Sequence, residues 1–471
     1  MDETSGMNLD DHRLRGASLC QTLHWLASGQ VDAERLAAIY LGAIAHENPA
    51  IGAYVAVRPE STRAEAAAAA ARRRESGAIG RLDGLPISIN DSFDTAGWAT
   101  GAGLPARRAR AAAHDAAAVA RLRAAGAVIL GKTNMDEGAL GAITANPHYG
   151  TTQNPFRAGF TAGGSSGGAA AAVAAGLCVA ALASDSLGSA RIPASYCGVA
   201  AIKPTHGEIS ARGLVPAARR LDTVALIARG VGDLTVLLHV LSGYDLDDPR
   251  SRKRRVAFAP PDWEPCRLRS GVIPDLAALG CATEVVCVFE NALETLRHEL
   301  GERHVVSFDD YPFERARRAG FFLMETEMLS TFADDLADTR RPVSPAFRQL
   351  LDWAALKSAT DYVAADRLFD ASVLKARRLF AQVDVLVLPT TPQAAFTFDG
   401  PVPADQAQFT AFANLSGCPA VTIPMGRLAD GLPVGLQFIG PPGSDLRLLE
   451  LAEVCAAALD AAPDYPVAST S

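Results

Sequence analysis

Twice in its first half the chain runs a helix-like stretch into a glycine and then directly into a short apolar run. Residues 115–125 carry a helical pattern, Gly126 ends it, and Ala127-Val128-Ile129-Leu130 reads as a buried strand. The order returns further on: a run of alanines over 168–175, then Gly176, then a strand over 177–182. A glycine just past a helix supplies the left-handed residue that closes its last turn. A short apolar run bounded in this way fits a strand buried on both faces. Such alternation points to an α/β architecture with helices packed over a sheet. Asp115 is the expected N-cap of the first of these helices.

The rest of the chain divides around this pattern. Residues 17–46 read as helical with a break at Gly29, and 64–74 as an alanine-rich helix whose arginines gather at the end favoured by the helix dipole. A short apolar strand over 85–89 runs into Asn90-Asp91. Residues 245–380 are richer in helix formers and charge, with helical stretches over 322–336 and 361–380, and are expected to form a helical elaboration. Strand character returns at 383–389, 420–424 and 432–440. The organisation expected is therefore 1–244 as the first part of an α/β domain, 245–380 as the elaboration, and 381–471 completing the domain.

Composition narrows the function. With 49% apolar and 20% charged residues, the 471-residue chain can build a sizeable core. A formal charge of −8 leaves no broad basic face, which argues against nucleic acid as the main partner. The one basic run, residues 250–255, reads either as a solvated linker or as a docking patch. The eight cysteines are scattered, with no Cys-x-x-Cys and no zinc spacing, so no metal is expected and a reducing, cytoplasmic setting fits. Residues 1–5 are acidic and no apolar stretch follows them, so no secretory leader is expected. The apolar stretch 169–183 is too short and too alanine-rich to cross a bilayer, and no membrane partner is expected. No nucleotide or flavin motif is present, so no cofactor is expected.

Chemistry concentrates in two loops. Gly163-Gly164-Ser165-Ser166-Gly167-Gly168 leads into the alanine run, so its glycines shape a tight turn at a helix N-terminus. It is not a phosphate-binding P-loop, because no Gly-Lys-Ser/Thr follows. It matches a Gly-x-Ser-x-Gly nucleophile elbow in form, but Thr161-Ala162 is a poor strand and no downstream histidine stands in a recognisable setting. The second loop, Ser184-Asp185-Ser186-Leu187-Gly188-Ser189-Ala190-Arg191, follows a buried strand. Ser189 is therefore expected at a strand's C-terminal end, where α/β sheets present their chemistry. The N–H groups of Ser186, Leu187, Gly188 and Ser189 are candidates for an oxyanion hole.

In order, spacing and flanks these two loops resemble those of the amidase signature family. The resemblance extends through Gly131-Lys132-Thr133-Asn134-Met135-Asp136-Glu137, Asn154-Pro155, Lys203-Pro204-Thr205, Pro389-Thr390-Thr391-Pro392, Gly417-Cys418-Pro419-Ala420 and Leu432-Pro433-Val434-Gly435-Leu436-Gln437. Around Met135-Asp136-Glu137 it is most similar to the branch holding glutamyl-tRNA amidotransferase A subunits and carboxybiuret hydrolases. It implies the amidase-signature fold, a central mixed β-sheet with helices on both faces. It also implies a Ser–cisSer–Lys mechanism on a small carboxamide or related acyl substrate. Ser189 would attack the carbonyl, Ser165 in a cis peptide would relay its proton, and Leu140 would line the acyl pocket. A homodimer or a small partner subunit is the family-level expectation.

The chain departs from that pattern at the base. Gly84, Pro86 and Asp91 anchor the alignment, and the lysine falls on Asn90. Asparagine can hold Ser165 by hydrogen bonds but takes no proton near neutral pH. Loss of a general base typically lowers a rate by ~10²–10⁴. Leu187 stands where the family has a second glycine, and Ala225-Leu226 where it has Gly-Pro. Lys132 and Lys203 are expected to be structural, and Asp91 to point away from Asn90. Three readings follow: an impaired or atypical amidase, a catalytically inactive pseudo-amidase that binds a ligand or partner, and an amidotransferase-like subunit.

Overall fold

A computed structural model of the chain describes residues 9–253, 268–460 and 466. Residues 1–5, Cys266 and the Arg254-Arg255 end of the basic run lie outside the described residues. The core is one mixed sheet of eleven strands. In chain order these are β1 (Tyr54–Val57), β2 (Pro86–Asn90), β3 (Val128–Thr133), β4 (Ala180–Asp185), β5 (Ala200–Lys203) and β6 (Thr223–Ala228). They continue as β7 (Arg269–Val272), β8 (Glu302–Val305), β9 (Val385–Pro389), β10 (Ala420–Arg427) and β11 (Pro433–Ile439). Across the sheet the order is β1-β3-β2-β4-β6-β5-β10-β11-β9-β7-β8. Helices pack over both faces, as the alternating pattern and the family resemblance led one to expect. Among the described residues no helix is long and apolar enough to cross a membrane.

The register fixes where chemistry can sit. β3, β2 and β4 run parallel, with Asn90 opposite Thr133 and Ile89 opposite Leu182. Their C-terminal ends therefore open on one edge of the sheet, where Asn90 and the loop after Asp185 emerge together. β6 is antiparallel to β4, so Thr223 begins at that same edge, opposite Asp185. The helix Gly167–Ala174 lies buried along its whole length. Its small residues allow that depth: a Cβ built on Gly168 would stand 2.5 Å from the Ala53 carbonyl and 2.6 Å from the Asn134 nitrogen.

Two expectations need correction. Asp115 does not cap its helix, which starts at Ala117 after Ala116. Its carboxylate instead accepts the Ala96 N–H at 2.7 Å and pairs with Arg123 at 3.2 Å, partners that hold a neighbouring turn. The segment 245–380 holds the helices Thr283–Thr295, Phe313–Thr331, Pro345–Ala355 and Ala359–Leu379, but it also supplies β7 and β8. β7 extends the sheet by parallel pairing with β9, and β8 extends it further by parallel pairing with β7.

Candidate active site

The loop after β4 is built around a buried ion pair. Arg191 donates to Asp185 from two nitrogens, each at 2.9 Å, and neither side chain is exposed. Asn414 and Gln437 accept two more guanidinium hydrogens, each at 2.5 Å. Burial works to raise the Asp185 carboxyl, but Arg191 prevails and holds it below its ordinary value. With Arg191 fixed in this way, Asp185 also takes the Gly188 N–H at 2.8 Å and the Ala190 N–H at 3.3 Å. A buried carboxylate needs such donors. Gly188 is thereby turned away from the oxyanion role expected of it, leaving the N–H groups of Ser186, Leu187 and Ser189 as the candidates.

The same loop is tied down at three further points. Gly188 adopts φ +125°, a conformation open to glycine, and a Cβ there would stand 2.7 Å from the Thr410 Cβ. The Thr410 hydroxyl donates to the Leu187 carbonyl at 2.6 Å. The Ser186 hydroxyl donates to Asp222 at 2.7 Å, and burial pushes the Asp222 carboxyl up to about 6 against that bond. Leu187 is buried and is not among the residues with positive φ, so no glycine is needed there for backbone reasons. Its side chain points to the helix Phe313–Thr331 at Gly320, where an added Cβ would come within 2.7 Å of Leu187 Cδ2.

The two serine loops meet directly. The Ser166 N–H donates to the Ser189 carbonyl at 3.0 Å, and the Ser166 hydroxyl to the Ser184 carbonyl at 3.3 Å. The peptide bond between Gly164 and Ser165 is cis. Gly164 lies so close to Asp136 that any Cβ there would overlap the carboxylate. Asp136 in turn accepts the N–H groups of Ile143 and Thr144 at 3.2 and 3.0 Å, and burial pushes its carboxyl up to about 7. Leu140 is half-buried in this same 136–144 loop, directly after a turn in which Gly138 and Ala139 have positive φ.

The third expected position is built differently. Asn90 is fully buried at the end of β2, and its Oδ1 accepts both the N–H and the hydroxyl of Ser92, at 3.1 and 2.8 Å. Its Nδ2, the Ser165 Oγ and the Thr133 Oγ1 are all buried without a hydrogen-bond partner. The expected bond from Asn90 to Ser165 is therefore absent, because the Ser92 donors set how the amide is turned. Lys132 does not replace the base. It pairs with Ile89 in the register, so the pleat sends it to the opposite face from Asn90 and Thr133. There it donates to the Phe93 carbonyl at 2.7 Å and faces Asp91 at 3.4 Å. Lys203 donates to the Pro204 carbonyl at 2.9 Å, and burial lowers it to about 8.

Sequence reasoning passed over Thr133, Thr410, Asn414 and Asp222 as parts of this site. One usable signal was available. A carboxylate and an arginine flanking a loop between apolar elements, as Asp185 and Arg191 do, must be paired if both are buried.

The Amidase family model matches residues 35–449. The chain is 34% identical to the glutamyl-tRNA(Gln) amidotransferase A subunit of Granulibacter bethesdensis, over 91% of this chain and 92% of that one. A structure from work on a vestigial protein complex and the origins of an s-triazine catabolic enzyme superposes with a TM-score of 0.85. It shares 31% identity and covers 94% of this chain and 98% of its own. The peptide amidase of Stenotrophomonas maltophilia superposes with a TM-score of 0.81 at 28% identity, over 94% and 97% of the two chains.

Proposed function

We propose that this chain, which belongs to the amidase family, acts at a carboxamide C–N bond through an acyl-enzyme on Ser189. The observation that carries the reading is the direct bond between the two serine loops, Ser166 N–H to Ser189 carbonyl, beside the cis Gly164–Ser165 peptide. Loops joined in this way hold nucleophile and relay in one rigid unit. In the step proposed, Ser189 Oγ bonds to the carbonyl carbon and its proton passes to Ser165 Oγ. The Ser165 proton goes to the leaving nitrogen as the C–N bond breaks. The N–H groups of Ser186, Leu187 and Ser189 would receive the developing oxyanion. Leu140 would face the acyl group. This relay contains no titrating base, since Asn90 takes no proton near neutral pH, so turnover is slower than a lysine would give by ~10²–10⁴.

A second reading has its own support. Asn90 Nδ2 and Ser165 Oγ are both buried without a hydrogen-bond partner, so the relay hydroxyl, though its backbone is fixed, is not aimed at a base. That favours a binding or partner role on a retained fold. The relative from Granulibacter bethesdensis is named as one subunit of an amidotransferase, and a matched structure is described as a protein complex, so a small partner chain suits either reading.

The deciding experiment exposes the full chain to a serine-directed fluorophosphonate and weighs it by intact mass spectrometry, with Ser189→Ala as control. One adduct on the native chain and none on the variant is the outcome expected of the amidase reading. A native chain that stays unlabelled would leave the binding role as the better account.

A further inference from the structure

The C-terminal end of β5 and the start of β10 meet at Lys203 and Ala420, on the same sheet edge as Ser189 but two strands along from β4. A cavity of about 700 Å³ opens there. Its lining is mixed. Phe369, Val373, Ala376 and Phe380, on and just after the helix Ala359–Leu379, are apolar; Arg377 comes from the same helix, and Arg220, Arg252 and His206 come from elsewhere in the chain. Among the described residues that line it there is no aspartate or glutamate.

The cations are not equivalent. Arg220 is already paired with Asp366 and Asp370 and lies over the Phe369 ring. Among the described residues, the Arg252 and Arg377 side chains have no hydrogen-bond or ion-pair partner. The His206 Nδ1 is buried and equally unpartnered. Burial first, and then Lys203, Arg252 and Arg250, push the His206 imidazole down to about 4, so its ring is neutral at pH 7 and offers a hydrogen bond rather than a charge. A second cavity of about 610 Å³ shares His206, Arg220 and Arg252, but Asp247, Asp248 and Glu327 line it too. Among the described residues, the lining that holds positive charge without an acidic residue is therefore that of the first cavity. Arg252 comes from the basic run at 250–255, which the amide chemistry leaves unused.

We infer that this cavity binds a small amphipathic organic anion, its anionic head between Arg252 and Arg377 and its apolar body against Phe369 and Phe380. Guanidinium groups suit carboxylate or phosphate oxygens through paired hydrogen bonds, and a pocket of this volume with a partly apolar lining suits a ligand-sized body. The site is distinct from the amide site, because Ser189, Ser165 and Asn90 do not line it, although Asn414, which braces Arg191, lies at its border.

Equilibrium dialysis of the full chain against 2-naphthoate tests this, with neutral 2-naphthylmethanol as the matched apolar control. Saturable binding of naphthoate at least about tenfold tighter than of the alcohol is expected. The double variant Arg252→Glu, Arg377→Glu should lose that preference while fluorophosphonate labelling of Ser189 stays as in the native chain. If that variant does not fold, Arg252→Gln with Arg377→Gln serves in its place. Equal affinity for the two probes, undiminished naphthoate binding by the variants, or no saturable binding at millimolar probe would each overturn the proposal.

Discussion

Around Ser189 a buried carboxylate gathers Arg191, Asn414 and the N–H groups of Gly188 and Ala190, while Thr410, Asp222 and Ser166 fasten the loop from three other sides. Around Asn90 the picture reverses: its Nδ2, the Thr133 Oγ1 and the Ser165 Oγ are buried with no partner. One half of the site is over-determined and the other under-filled. Drift acting alone would be expected to loosen both. The contrast instead says that the fold specifies the position of Ser189 closely, and that the under-filled region is local to the end of β2.

Refilling the weak half should have the largest effect. Asn90→Lys places an ammonium where three buried polar atoms lack partners, and amide hydrolysis is expected to rise by ~10²–10⁴. Initial rates on a panel of simple carboxamides would measure it. Unchanged rates would mean that the substrate pocket has diverged as well as the base, and the contrast between the halves would then not explain the activity.

Damaging each half in turn sharpens the same contrast. Arg191→Met leaves Asp185 buried without its cation, and breaking such a pair costs ~3–5 kcal/mol. Asn90→Ala removes one amide whose partners among the described residues are both on Ser92, and a neutral hydrogen bond contributes ~1 kcal/mol. Urea denaturation midpoints should therefore separate the two variants clearly, with Arg191→Met the less stable. Similar midpoints would remove the claim that the halves are built differently.

How far the sequence exposed all this depends on whether a feature is local. The strands β3 and β4 were visible because a helix and a glycine precede each within a few residues. β7 and β8 were not. Each is only four residues long, Arg-Ser-Gly-Val and Glu-Arg-His-Val, and neither has the apolar alternation that marks a strand. They are strands because β9 offers an edge to β7 and β7 offers one to β8, which is a tertiary fact. The site divides in the same way. Ser165, Ser189 and Asn90 sit in short contiguous motifs. The amides that satisfy Arg191 lie 223 and 246 residues away in the chain, and nothing local marks them as its partners. Gly188 also shows the limit, because a loop offers its N–H groups in sequence without telling which one a buried carboxylate will claim.

The smallest effect tests how the strong half is held from above. Glycine inside an exposed helix normally gives way to alanine with a gain of roughly 0.5–1 kcal/mol. At Gly320 the added Cβ would meet Leu187 Cδ2 at 2.7 Å, so the Leu187 side chain, its loop or the helix Phe313–Thr331 has to shift. Forcing extra volume into a packed site costs ~1–3 kcal/mol. Gly320→Ala is thus expected to destabilise slightly and to slow labelling of Ser189, and adding Leu187→Ala should relieve both. A coupling between the two substitutions is what direct contact predicts. If Gly320→Ala simply stabilises the protein, with labelling unchanged, Leu187 is not wedged against the helix. The loop then owes its position to Asp185, Thr410 and Asp222 alone. A positive coupling would instead tie Leu187 to a glycine elsewhere that makes room for it, so that Leu187 belongs with the well-specified half of the site rather than with Asn90.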